Sequence, residues 1–338
     1  MSLIKTTYLL ESSTRLLMSW GVPQQQAQLI ADTIVYAHTH EKHTHGITRL
    51  PIYKQKIDNG LMSPNTKVDF VLEKGAISVL DCNDGFGQVV GVDAAMRAVE
   101  HAKQFGIGVV FVRNSNNFGV EGYFGDMIAN AGMYGCVLTA SAPAIAPEGG
   151  TRSIFGTNPI CCAFPTPEGN VVLDMAVSAA ARGKIRLAQK NGEKIPFGWA
   201  VDASGNPTDD PSKALLGNMI AIGGVKGFGL AMMVDFLAGM LSGSAFGGDI
   251  KPLATENAPS RHGHCFLAID IKALMSEDEY EKKVRTFIHN VKACGEDGKI
   301  SLPGERSRIK SEKNNDEVEI KDKQLEDYFA LLKQYHCL

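Results

Sequence analysis

The chain has 338 residues, with 34 Lys plus Arg against 37 Asp plus Glu, a net charge of −3, and 44% hydrophobic residues. That length leaves room for about two domains and a core that needs no disulfide or structural metal. The balanced charge excludes the basic field of a nucleic-acid-binding protein, and the hydrophobic content excludes a disordered chain.

Helices are expected over 7–20 and 24–42; the second has Pro23 at its start and carries Ile30, Ile34 and Ala37 on one face. Glu11 and Arg15 break the N-terminal apolar stretch, and no run reaches about 18 apolar residues, so neither a secretory signal nor a membrane span is expected. A loop with Asn59-Gly60 and Ser63-Pro64 follows, then a strand at Ile77–Asp81, a helix at Val92–Phe105 stopped by Gly106, and a strand at Ile107–Val112. A helix is expected at Glu121–Ala131. Val137–Ala140, Ile160–Phe164 and Val171–Asp174 are short β-prone runs. Only the turn-forming Pro165–Asn170 joins the last two, too short for a parallel crossover. They form a hairpin, and the sheet is at least partly antiparallel. Phe228–Leu241 reads as an apolar helix, Cys265–Asp270 as a strand and Tyr280–Val291 as an amphipathic helix. The mixed charges over Gly304–Asp327 read as a solvated loop and helix face.

The seven cysteines (82, 136, 161, 162, 265, 294, 337) show no CxxC spacing and read as free thiols in a reducing cytoplasm. The 35 glycines are about 10% of the chain against an average of about 7%. They signal tight turns or close backbone approach to a ligand. Gly85, Gly87 and Gly91 follow a strand and open a helix, which suits either a dinucleotide-binding turn or a plain strand-to-helix turn.

His38, His40, His43 and His45 lie within eight residues. On a helix only His40 and His43 would converge, so no metal is expected. His45 with Arg49 is the better pair: Arg forks onto a carboxylate and His moves a hydroxyl proton, as a 2-hydroxy acid enzyme needs. Asn114–Asn117 ends a strand and offers turn formers or polar ligands. Lys226, in Gly223–Gly229, stands where a helix N-terminus meets a phosphate.

Taken together the residues resemble the type-2 malate/L-lactate dehydrogenases, whose relatives include ureidoglycolate, sulfolactate and diketogulonate dehydrogenases and cyclic ketimine reductases. The matching stretches include His43–Pro51, Gly87-Gln88, Ser115–Tyr123, Ala146–Gly150, Gly156–Pro159, Asp174–Ala176, Ala181–Ile185, Gly198–Ala200, Gly224–Gly229 and Leu302–Glu305, in the family's order. The resemblance implies a mixed α/β fold: a non-Rossmann cofactor domain on a mostly antiparallel sheet, residues 76–249, and a mainly helical substrate and dimerisation domain from residues 1–75 and 250–338. It implies a homodimer, no membrane or nucleic-acid partner, and a small anionic 2-hydroxy or 2-keto acid substrate. His45 would be the acid/base and Arg49 the carboxylate ligand. Ser141, Asp174, Met175, Ala176, Lys226, Gly227, Pro303, Gly304 and Glu305 would contact NAD or NADP, with NAD the first choice. Thr157 and Asn158 would line the site.

Asn117 stands where many members of that family carry a His, and Asn cannot take up a proton at physiological pH. It can orient the substrate hydroxyl while His45 moves the proton. Malate/oxaloacetate is the first substrate. The alternatives are an NADPH-dependent cyclic ketimine reductase and a non-catalytic nucleotide-binding relative.

Overall fold

The computed structural model describes residues 1–147, 149–255, 257–296 and 298–338. The chain opens with β1 (Ser2–Lys5), α1 (Thr6–Ser19) and α2 (Gln24–Thr39). α2 buries Ala27, Ile30, Ala31 and Ile34, one apolar stripe at helical spacing. It stops at Thr39, not at 42, because Glu41 turns left-handed at φ 58°. The Glu41 and Lys42 amides then close onto the His38 and Ala37 carbonyls at 3.0 and 2.6 Å. This is a Schellman cap with Glu where glycine is usual, so the sequence carries no obvious stop signal. Two 3-10 turns follow, His43–His45 and Ile47–Arg49, and lead into α3 (Leu50–Asp58).

β2 (Asp69–Lys74) and β3 (Ile77–Asp81) form a hairpin. α4 (Gly87–Phe105), capped by Gly106 at φ 80°, crosses over to β4 (Ile107–Ser115), parallel to β3. After α5 (Glu121–Asn130) come β5 (Met133–Thr139), β6 (Ile160–Phe164) and β7 (Val171–Met175), and β6–β7 is the antiparallel hairpin that the turn chemistry predicts. α6 (Arg182–Asn191), β8 (Ala200–Val201), α7 (Pro211–Leu216) and β9 (Asn218–Met219) pack around their own small core. α8 (Val225–Val234) runs on into a π-helical segment, Asp235–Met240, inside the apolar run read as one helix. The chain closes with β10 (His262–Asp270), α9 (Glu277–Lys292), α10 (Glu305–Lys313), β11 (Glu317–Ile320) and α11 (Asp322–Gln334).

The central sheet has the order β2-β3-β4-β10-β5-β6-β7. β3–β4 is its parallel pair and the other pairings are antiparallel. The expectation of a mixed α/β fold with a mostly antiparallel sheet holds. The boundaries at 76 and 249 do not follow this sheet. β2 lies before the first and β10 after the second, yet β10 pairs with β4 on one side and β5 on the other. Its Phe266 and Ala268 are fully buried, which is why a strand from the far end of the chain belongs at the centre.

The helical layer does come from both chain ends. Leu9, Leu16, Ile30 and Ile34 share a core with Val318, Ile320, Leu325 and Leu332. The charged stretch 304–327 is therefore not all solvated. Within it Val318 and Ile320 are buried on β11, alternating with exposed Glu317 and Glu319, and β11 pairs with β1.

Candidate active site

The sheet topology brings the candidate residues to one end. β3, β4, β5 and β7 finish there, and β6 and β10 begin there. Asn116-Asn117 leaves β4, Ser141 lies just past β5, Thr157-Asn158 precedes β6, and Asp174–Ala176 ends β7. His262 opens β10 opposite Ser115.

Three residues of the 45–58 run recur at four-residue intervals, His45, Arg49 and Tyr53, and Arg49 interacts electrostatically with the other two. Arg49 donates Nε to the Thr44 carbonyl at 2.7 Å. Its terminal nitrogens have no partner among the described residues. Desolvation lowers its pKa, the Arg186 charge on α6 adds to that, and Tyr53 offsets part of it. A half-buried guanidinium with an open fork is a carboxylate site. Desolvation also pushes His45 down to about 3, helped by Arg49 and Lys42, so its imidazole is neutral at physiological pH. The start of α6 sits close by, since a Cβ on Gly183 would come 3.3 Å from Thr44 Cγ2.

Tyr53 is fully buried and joins this run to the sheet end. Its hydroxyl donates to Asn117 Oδ1 at 2.9 Å and accepts from Gln88 Nε2 at 2.9 Å. The Gly119 amide also donates to Asn117 Oδ1, at 3.3 Å. Tyr53 and Gln88 are the residues that sequence reasoning missed. The four-residue step from Arg49 was a signal for Tyr53; nothing local marked Gln88.

The other histidines of the 38–45 cluster have structural partners. His38 is fully buried, its Nε2 accepts the Ile47 amide at 3.1 Å, and its Nδ1 meets His43 Nδ1 at 2.9 Å. His40 stacks on Tyr36 with ring centroids 3.7 Å apart. Among the described residues no three His, Cys, Asp or Glu side chains gather as a metal set.

The glycines of Gly85–Gly91 serve packing. A Cβ on Gly87 would stand 2.5 Å from the Asn116 carbonyl oxygen, and one on Gly91 would stand 2.7 Å from the Phe124 ring. That turn packs against protein on the faces its glycines leave bare. Glu148, in one of the matching stretches, lies outside the described residues.

A cavity of about 540 Å³ opens between α2, α5, β7 and the 301–308 turn. Tyr36, His40, Lys42, Asp174, Gly304 and Arg308 are among its lining. Pro303 accepts the Val172 amide at 3.1 Å, which docks this turn on the edge strand. Gly304 sits at φ 77°, and a Cβ there would come 2.6 Å from the Val172 carbonyl oxygen. Stacked rings, two carboxylates and three cations suit a dinucleotide. Asp174 Oδ2 accepts the Gly122 amide at 3.1 Å, and burial raises its pKa. Glu305 is spent bracing the turn: it takes the Leu302 amide at 2.8 Å and pairs with Lys292 at 2.5 Å.

Ser141, Met175, Ala176, Lys226 and Gly227 are not part of that lining. Lys226 is exposed at the start of α8. Gly227 packs under Ile222, whose carbonyl a Cβ would meet at 2.2 Å. Thr157 is half-buried and its carbonyl takes the Val177 amide at 2.8 Å. Asn158 lines no open surface, because its fully buried amide is used at both ends by Ser141 and Ala231.

A sequence model of the malate/L-lactate dehydrogenase family matches residues 4–327. The chain is 36% identical over 311 residues to a malate/(S)-sulfolactate dehydrogenase of Methanothermus fervidus, covering 92% of this chain and 91% of that one. It is 34% identical over 304 residues to a Delta(1)-pyrroline-2-carboxylate reductase of Burkholderia ambifaria, covering 89% and 87%. Among solved structures, a sulfolactate dehydrogenase from Methanocaldococcus jannaschii superposes with a TM-score of 0.93 at 35% identity, over 99% of this chain and 98% of that one.

Proposed function

Because the chain belongs to the malate/L-lactate dehydrogenase family, we propose that it moves a hydride between a nicotinamide dinucleotide and a 2-hydroxy or 2-keto acid, with malate/oxaloacetate as the first substrate. The observation that carries this reading is the open, desolvated Arg49 fork between His45 and the Tyr53–Asn117 hydrogen bond.

Arg49 clamps the C1 carboxylate. Asn117 holds the C2 oxygen. His45 takes the hydroxyl proton in oxidation and returns it in reduction. Thr44 Oγ1 lies 3.1 Å from His45 Nδ1, which leaves Nε2 for the substrate. A substrate carboxylate on Arg49 cancels one of the charges that hold the imidazole neutral, so binding itself raises the proton affinity of His45. The bound dinucleotide supplies the hydride acceptor or donor. Asp174, Pro303 and Gly304 would hold it in the 540 Å³ cavity; Ser141, Met175, Ala176, Lys226 and Gly227, outside that lining, would be its further contacts, and Glu305 would act by bracing the turn.

Arg186 beside Arg49 supports a second anion on the substrate, and so malate over lactate. The sulfolactate in the Methanothermus relative's name fits the same description. The exposed apolar face of Leu230, Met233, Phe236, Met240 and Leu241 supports a homodimer. The test is a reductase screen with NADH and NADPH across oxaloacetate, sulfopyruvate, pyruvate, 2-oxoglutarate and a cyclic imino acid. Oxaloacetate is expected to lead; no turnover of any 2-keto acid overturns the reading.

A further inference from the structure

The hydrogen bonds behind Asn117 have a direction, and a backbone amide sets it. The Gly119 N–H is only a donor, so the atom it meets at 3.3 Å is the Asn117 oxygen and not the nitrogen. Tyr53 must then give its hydroxyl proton to that same oxygen at 2.9 Å. With that proton committed, Tyr53 can only accept from Gln88, whose Nε2 stands 2.9 Å away. Tyr53 and Gln88 are both buried, and the Tyr53 ring is wedged edge-on against Phe86 at 5.6 Å, so the chain has little room to reverse. The outcome is an amide whose oxygen is used up. Its Nδ2 has no partner among the described residues, and Asn117 is half-buried at the sheet end that collects the site.

We infer that Tyr53 is a positioning residue that locks Asn117 as a pure hydrogen-bond donor, and that this lock selects 2-oxo acids over cyclic 2-imino acids. The inference rests on the proposed placement of the substrate's C2 substituent at Asn117. In both substrate classes C2 takes the hydride. A ketone oxygen accepts two N–H bonds as it does so, and then takes a proton from His45. A cyclic imine reacts as its iminium, whose nitrogen already carries its proton and has no lone pair left to accept with. Facing Asn117 Nδ2 it sets donor against donor, and a buried pair of that kind loses its hydrogen bond on both sides. The carboxylate next to C2 is common to both classes, so Arg49 does not discriminate between them.

The experiment measures kcat/KM for oxaloacetate and for Delta(1)-pyrroline-2-carboxylate in the parent, Tyr53→Phe and Asn117→Asp, reading the ratio of the two. The parent is expected to favour the 2-oxo acid. Asn117→Asp keeps the oxygen that serves Tyr53 and Gly119 but replaces the free donor with an acceptor. It should shift the ratio towards the imine by about 100-fold, the usual cost of one misplaced donor. Tyr53→Phe keeps the ring packing and removes the shorter of the two bonds that hold the amide oxygen, leaving only the Gly119 amide at 3.3 Å to orient it. It should shift the ratio in the same direction by about tenfold, mostly through kcat. A purely structural role for Tyr53 lowers both activities together and leaves the ratio unmoved, which overturns the inference, as does a parent that prefers the imine. Should Tyr53→Phe fail to fold, Asn117→Asp alone decides. A parent that turns over neither class overturns the underlying reading of the site, whereas normal 2-oxo acid turnover with an unmoved ratio overturns only the lock.

Discussion

Asn158 holds Ser141: its Oδ1 accepts the Ser141 amide at 2.9 Å while its Nδ2 donates to the Ala231 carbonyl at 2.9 Å. One fully buried side chain, on a residue with φ 27°, thus ties the end of β5 to α8. Asn158→Ala removes both bonds, though the Ala231 carbonyl keeps the Asp235 amide, at a cost of about 0.5–1.5 kcal/mol each. Urea unfolding should show that loss. If Ser141 touches the dinucleotide, calorimetric titration should also show its Kd rising about tenfold, the equivalent of about 1.4 kcal/mol. A normal Kd in the destabilised variant would remove Ser141 from the cofactor contacts.

Arg49 and Arg186 should separate by substrate. Arg49→Lys keeps the charge but loses the fork, so KM for every 2-keto acid should rise about 10- to 100-fold. Arg186→Ala should raise KM for oxaloacetate about tenfold and leave pyruvate unchanged. His45→Ala should lower kcat about 100- to 10,000-fold with both. Equal effects of Arg186→Ala on the two substrates would remove it from the second carboxylate.

Glu121, at the start of α5, is buried, and neither carboxyl oxygen has a partner among the described residues. Burial pushes its pKa well above the ordinary 4.5, and Asp174 and Cys162 push the same way. Below the ordinary value both the folded and unfolded chains hold the proton. Above it the unfolded chain releases the proton first, so stability falls with rising pH until the folded value is passed, by about 1.4 kcal/mol per pH unit at most. Glu121→Gln removes that penalty. Its advantage over the parent in urea should be absent near pH 4 and grow towards neutrality. A constant offset at all pH values would show that Glu121 stays ionised when folded.

Phe236 is 43% exposed and Met233 49% exposed on the same helical run. If that face is a dimer seam, Phe236→Glu buries an uncompensated charge in it, which costs several kcal/mol. Light scattering should find a dimer for the parent and a monomer for the variant. A parent that is monomeric at micromolar concentration would rule the seam out.

Legibility in the sequence followed locality. The β6–β7 hairpin was readable because Pro165–Asn170 is too short for anything else. The end of α4 was readable because Gly106 takes a positive φ at no cost. The end of α2 was not, because Glu41 fills the position where glycine is the usual sign. β11 was hidden in a charged stretch because a strand needs only alternate residues to be buried, here Val318 and Ile320. The glycines of Gly85–Gly91 pointed to a phosphate because close approach is visible in sequence while its object is not. That object is the Asn116 carbonyl and the Phe124 ring.

By itself the sequence determined the α/β class, the antiparallel hairpin and the His45–Arg49 pair, which depend on spacing along a few neighbouring residues, and the family resemblance, which rests on the order of short stretches between His43 and Glu305. Only the tertiary structure decided that β10 occupies the centre of the sheet, that the Arg186 charge is felt at Arg49, that Asn158 is a brace, and that Asn117 meets Tyr53. Each of these joins residues far apart in the chain. Side-chain chemistry alone leaves an amide free to present either end, and the donors packed around it, here Tyr53 and the Gly119 N–H, determine which end is left over.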